Sequence, residues 1–332
     1  MIRYIQPVKD AAFKPIYNQI QRDFGLVGDI FKMHSPSPPL LAGLWAALRE
    51  TQLVGDVPRK LKEAVAVAVS HINRCPFCVD AHSAMLTASG DKETAARILH
   101  SQTELISDDR LRESVEWALA TRSPGSLRLR NPPFSRELAP EMIGTVVINH
   151  YINKMMDVLL NQAILLKNKL VRSALFRAGA VLLASTVRRG KQPGESLSFL
   201  PDREVPLPGK LDWAAPHPTV SRAFACFAAS VQEAGESVLD ESARAAVQAY
   251  LEQWSGQDPG MSRRWVDSPT GHLTGSSRTA ARLALLTAVT PYQVDDELIQ
   301  AFRSAYPEDR QLLSALSWAS FSSACTVGSW CR

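Results

Sequence analysis

Apolar residues recur through this chain at intervals of three and four positions, and little of it alternates with a period of two. A period near 3.6 buries one face of a helix, whereas a half-buried strand requires a period of two, so the pattern predicts an all-α fold. The stripe Phe13, Ile16, Tyr17, Ile20 and Phe24 predicts helix through residues 10–35. Leu41, Leu44, Trp45 and Leu48 predict another over Leu40–Gln52 after a turn at Ser35–Pro39. Further helices are expected over Pro58–Ser70, Cys75–Ser89, Asp91–His100, Asp108–Arg122 and Ala139–Leu166, with a loop at Ser123–Pro133. Gly90 stands where a helix ending at Ser89 calls for a residue of positive φ.

A length of 332 residues exceeds what one core usually holds and predicts two domains. Residues 191–218 hold six of the chain's 21 prolines with little periodicity and read as a linker. The expected division is 1–190, linker 191–218, and 219–332. Charge divides at the same place: residues 1–194 carry +9, residues 195–210 −1 and residues 211–332 −4. The second half also resembles the first. Pro38 and Pro218, and Gly55 and Gly235, keep an offset of 180, while Pro124 with Pro291 and Pro140-Glu141 with Pro307-Glu308 keep an offset of 167. A duplication with a net loss of 13 positions in the second copy follows, and the loss corresponds to somewhere between Pro38 and Pro124, the interval that holds Glu63, Cys75, Cys78 and His82 in the first.

The stretch richest in chemistry is Glu63 to His82, reading Glu-Ala-Val-Ala-Val-Ala-Val-Ser-His-Ile-Asn-Arg-Cys-Pro-Phe-Cys-Val-Asp-Ala-His. Pro76 suits the first turn of a helix, which puts Cys75 near the N-cap and Cys78 in the first turn. There the free backbone N–H groups and the helix dipole favour a thiolate. His82, four residues after Cys78, shares its helical face. Cys75 and Cys78, one turn apart, can bridge with modest adjustment. Peroxide reduction needs a thiolate to break the O–O bond, a second thiol to condense with the sulfenic acid, and a proton relay that His82 and Glu63 can supply. Glu63 reaches His82 only if the two helices pack antiparallel.

The pattern Glu-x11-Cys-x2-Cys-x3-His after an Ala/Val-rich helix resembles the AhpD-like alkylhydroperoxidases of the carboxymuconolactone decarboxylase superfamily. The resemblance covers roughly residues 35–165. It implies small all-α domains, here two in tandem with the second degenerate, an arrangement similar in architecture to the sestrins. It implies Cys78 as the peroxide-attacking thiol, Cys75 as its resolving partner and Glu63 with His82 as the relay. It also implies an organic hydroperoxide or disulfide substrate, a thiol reductant protein, in some members dihydrolipoyl-bearing, and a homo-oligomer. Phe77 departs from the pattern, because the best-studied type has a histidine there.

Other readings attach to the same residues. A Cys-x2-Cys pair with His and Glu can ligate zinc, although zinc cysteines usually come with a distant second pair. A lyase of the decarboxylase branch would use the histidine and glutamate without the thiols, and a regulatory protein would bind a partner through its second half. No metal or other cofactor is expected. Seven basic residues in 158–194 (Lys167, Lys169, Arg172, Arg177, Arg188, Arg189 and Lys191) with Phe176 as the sole aromatic fit a solvated face rather than a nucleic-acid surface. No run of eighteen apolar residues predicts a membrane span, and the N-terminus has no apolar signal region, so a cytoplasmic location is expected. His71 and His150 on apolar helices, Trp318, Phe321 and Trp330, and the thiols Cys226, Cys325 and Cys331 read as core or interface residues.

Overall fold

The computed structural model describes residues 2–161 and 189–332, together with Ala184, Thr186 and Val187. Among the described residues the first half has nine α-helices: α1 Lys14–Phe24, α2 Asp29–Lys32, α3 Pro38–Leu48, α4 Arg59–Ile72, α5 Pro76–Ala88, α6 Thr94–Leu99, α7 Asp109–Leu119, α8 Leu127–Arg130 and α9 Ala139–Leu159. The second half is built from the helices Pro218–Glu236, Glu241–Gln253, Gly275–Val289, Asp296–Arg303 and Asp309–Trp330, with a short turn of helix at Asp267–Thr270. Among the described residues the only β pairing is an isolated bridge between Ile2 and Leu160. The chain is all-α, as its periodicity requires.

Three boundaries differ from the sequence reading, each for a local reason. The helix expected across residues 10–35 is broken in two, because Gly25 takes the left-handed conformation (φ 97°) and its N–H closes on Gln21. The loop 123–133 contains α8, started by Ser126, whose side chain accepts from the N–H of Arg128. The long helix over 139–166 stops at Leu159. Leu160 turns extended, and the N–H of Arg3 takes the Leu159 carbonyl at 2.7 Å. Residues 162–166, and with them most of the basic run in 158–194, lie outside the described residues.

Helix α4 is the centre of the first half. Its Ala/Val run is fully buried, and α5, α7 and α9 pack around it. Two helix pairs then join the halves: α3 lies on Pro218–Glu236, and α9 lies on Asp309–Trp330. Gly43 sets the approach of the first pair, since a Cβ there would stand 2.7 Å from the Phe227 ring. Tyr151 of α9 packs edge-on to both Phe227 and Phe321, and one apolar core runs through both halves.

The proline-rich segment is a packed strap. It carries two 3-10 turns, Glu195–Phe199 and Gly209–Ala214, with Ser196, Leu211 and Ala214 buried. Its start is clamped by ions: Arg49 donates to Asp23, to the Gln192 carbonyl and to Glu195. Glu50 accepts from the N–H of Gly194 and the hydroxyl of Ser196. Among the described residues no helix is long and apolar enough to cross a membrane.

Candidate active site

The sequence turns α3 into the site by widening it. At Arg49–Leu53 the backbone takes a π-type turn in which the N–H of Val54 reaches back to Arg49 O at 3.2 Å. Such an inserted residue re-aims the side chains around it, a common device at functional sites. Here it buries both Glu50, facing the strap, and Gln52, facing α4. The following turn is held from α9, where Glu141 accepts from the N–H groups of Asp56 (2.8 Å) and Val57 (3.1 Å). Gly55 is obligatory there: its φ is 103°, and the Glu141 carboxylate occupies the place of a Cβ. Lys62, buried, pairs with the same carboxylate and donates to Val54 O. This fixes the start of α4 and so the height of Glu63.

Helix α4 ends in a double-bonded cap. The N–H of Arg74 returns to His71 O at 3.0 Å and that of Cys75 to Ser70 O at 3.1 Å, with Arg74 itself left-handed (φ 57°). Such a cap usually carries glycine at this position. It reverses the chain at once, so Cys75 becomes the N-cap of α5 and Pro76 its first residue. Cys78 follows within the first turn. Cys75 and Cys78 are joined as a disulfide with their Cα atoms 5.4 Å apart. Cys75 is 0% and Cys78 3% exposed, so what access exists is to Cys78.

The α4–α5 hairpin brings the remaining two candidates together. Nδ1 of His82 lies 2.8 Å from Oε2 of fully buried Glu63. The other oxygen, Oε1, accepts from Arg59 Nε at 2.5 Å and from the Gln52 amide at 3.2 Å, and Asn149 of α9 donates to Gln52 Oε1 at 3.2 Å. Burial alone would raise the Glu63 carboxyl. The Arg59 guanidinium and His82 outweigh it and hold the group at about 2. An ionised Glu63 accepts only, so His82 carries its proton on Nδ1 and presents Nε2 as the basic nitrogen.

All four residues singled out in the sequence are therefore in one place. Arg59, Gln52 and Asn149 were missed. Arg59 is legible in retrospect as the i−4 partner of Glu63. Gln52 and Asn149 come from a π turn and a distant helix, and no spacing rule points to them. Phe77 is half-buried against the apolar core.

Other singled-out groups fall elsewhere. His150 is fully buried between Asn73 and Thr121, and burial pushes its imidazole well below the ordinary range; His71 is half-buried. Cys226, Cys325 and Cys331 are buried thiols, and burial raises Cys325 to about 12. Trp318 and Phe321 are core, and Trp330 packs half-buried on Trp254. Among the described residues no group of three or more His, Cys, Asp or Glu is placed to hold a metal ion.

Residues 39–120 match the carboxymuconolactone decarboxylase family, a span that holds all four residues and ends at the close of α7. Over 333 residues the chain is 37% identical to the alkyl hydroperoxide reductase Rv2159c of Mycobacterium tuberculosis, covering 99% of this chain and 94% of that one.

Proposed function

Since this chain belongs to the carboxymuconolactone decarboxylase family, in its AhpD-like branch, we propose that it is a thiol-dependent hydroperoxide reductase working through Cys75 and Cys78. The observation that carries the reading is a redox-capable pair at the start of α5, one turn before a histidine wired to an ionised, buried carboxylate. The name of the Mycobacterium tuberculosis relative supports hydroperoxide as the substrate class.

In the reduced protein, His82 Nε2 takes the Cys78 proton, and the helix start favours the thiolate. The thiolate attacks the terminal peroxide oxygen. An S–O bond forms as the O–O bond breaks, and the alkoxide leaves with the proton returned by His82 as an alcohol. Cys75 then attacks the sulfenic acid, expelling water and closing the disulfide. Two electrons and two protons from a dithiol reductant, itself oxidised to a disulfide, restore the pair. Phe77 puts no second histidine beside Cys78, so His82 carries the proton traffic alone.

We extend the proposal to the architecture. Residues 219–332 are read as a second, degenerate AhpD-like repeat without a redox pair. Support comes from the self-pairing of corresponding helices: α3 with Pro218–Glu236, and α9 with Asp309–Trp330. Pro38 and Pro218 both occupy the first position of their helices. Gly55 and Gly235 do not correspond in role, since Gly55 sits in a turn and Gly235 within a helix against Trp318. In a homo-oligomer the fused repeat would take the place of a neighbouring subunit.

The test is a thiol titration of the reduced protein with and without one equivalent of cumene hydroperoxide, read by peptide mass spectrometry. A Cys75–Cys78 disulfide and one equivalent of alcohol are expected. Oxidation of Cys226 or Cys325 with Cys75 and Cys78 left reduced would remove the reading.

A further inference from the structure

Behind the redox turn, where the two halves meet, lies a narrow polar cleft. Its inner wall holds two cations, Lys154 of α9 and Arg122 after α7. Lys154 is 4% exposed, and its amine has one contact among the described residues, the His150 carbonyl at a long 3.5 Å. Arg122 donates to the carbonyls of Gly256 (3.1 Å) and Ile72 (3.5 Å). Among the described residues no carboxylate lies within ion-pair distance of either.

At the mouth, Asp258 is already engaged by Tyr292, by the N–H of Gly260 and by Arg74 at 3.3 Å. Asp157 also lines the cavity. Buried cations are ordinarily paired and hydrogen-bonded, because an uncompensated buried charge is costly. Here buried Lys154 and half-buried Arg122, which stacks over the Trp254 ring at 5.5 Å, face one gap, and among the described residues both are short of acceptors. The strain registers in both: burial first, then the neighbouring Arg122 charge, brings Lys154 down to about 7 against the opposing pull of Asp157, and burial lowers Arg122.

We propose that the gap between Lys154 and Arg122 is a binding site for a small oxyanion, a carboxylate or its inorganic equivalent. The anion supplies the missing acceptors to the Lys154 ammonium and the free face of the Arg122 guanidinium, with Arg74 at the rim. Asn73 and Arg74 line this cavity and lead directly into Cys75, so the occupant braces the turn that starts the redox helix.

The experiment is calorimetric titration of the full chain with sodium acetate and, separately, sodium nitrate, whose charges do not change between pH 6 and 8.5. Saturable binding of at least one is expected, about thirtyfold weaker at pH 8.5 than at pH 6 as free Lys154 loses its proton. At pH 8, runs in buffers of different ionisation heat should show uptake of close to one proton per anion bound. Acetate alone binding identifies a carboxylate site, and nitrate alone an inorganic one. Lys154→Met should abolish binding and proton uptake. Arg74→Gly, which keeps the left-handed cap while removing the rim charge, should weaken binding severalfold even if Lys154→Met does not fold. No saturable binding of either anion to the wild-type chain, or binding without proton uptake, overturns the proposal.

Discussion

Glu63 and His82 meet across the α4–α5 hairpin with Oε2 2.8 Å from Nδ1, and that contact decides which imidazole nitrogen can act as a base. The carboxylate is held ionised by Arg59, so it draws the ring proton to Nδ1 and leaves Nε2 free. Glu63→Gln keeps the shape and removes the charge. Oxidation of the Cys75–Cys78 thiols by hydroperoxide should slow by about 10–100-fold, since the ring is no longer held in the basic tautomer. Stopped-flow single-turnover oxidation checks this, with thermal melts to show that the variant is folded. An unchanged rate would leave Glu63 a purely structural ion.

The same burial predicts how the protein fails in acid. Glu63 has a folded value of about 2 against an ordinary 4.5, so protonation favours the unfolded chain. Its contribution is complete above pH 4.5 and is lost as pH falls from there towards 2. His34 acts earlier. Fully buried, its imidazole is lowered to about 4 from 6.5, and its Nε2 shares the Tyr151 hydroxyl at 2.6 Å. A neutral buried histidine must charge on unfolding, so stability is complete above pH 6.5 and declines as pH falls from 6.5 towards 4. Melting temperature should therefore fall in two stages, and Glu63→Gln should flatten the lower one. A variant with an unaltered lower stage would contradict the assignment.

The chemistry of the site was more legible in the sequence than its scaffolding. Helical period fixed the class, and the intervals between Glu63, Cys75, Cys78 and His82 contain the site because Glu63, Cys78 and His82 lie on two consecutive helices and Cys75 closes the three-residue turn that joins them. Local spacing is then nearly three-dimensional distance. Gln52 and Asn149 lie on elements whose approach depends on a π turn and on the packing of α9, and one-dimensional periodicity carries neither. Gly25 and Leu160 show the same limit at helix ends: apolar spacing continues past each, while backbone conformation stops the helix. Glu63, flanked in sequence by Lys60 and Lys62, looks like a surface residue until Lys62 is seen turned inward to Glu141.

That inward pair sets the height of α4 and should dominate local stability. Lys62→Met leaves the buried Glu141 carboxylate with backbone donors but no cation, and a broken buried pair of this kind typically costs about 3–5 kcal/mol. Burial lowers the Lys62 amine against the pull of Glu141, a sign of how completely the pair is withdrawn from water. Lys62→Met combined with Glu141→Gln should recover part of the loss, because the stranded charge is then gone. Urea unfolding of the two variants measures both. Equal stability of the single and double variants would mean that the ion pair matters less than the backbone bonds Glu141 makes.

Removing the second half tests whether the redox half stands alone. A chain ending at Pro193 retains the four site residues and loses what α3 and α9 are packed on. Gly43 would no longer face Phe227, and Tyr151 would lose both Phe227 and Phe321 along with the hydroxyl of Ser317 at 3.0 Å. Glu50, fully buried, would lose the N–H of Gly194 and the hydroxyl of Ser196, leaving among the described residues the Arg49 contact at 3.0 Å. Two apolar helix faces and a poorly paired carboxylate would thus be opened together, far more than a small surface patch. The truncated chain should aggregate or self-associate, seen by light scattering and by dye binding to exposed apolar surface. Supplying residues 194–332 as a separate polypeptide should restore a monodisperse species with a titratable Cys75–Cys78 pair. A truncated chain that stays monodisperse and reacts with hydroperoxide at the full rate would make the second half an independent module.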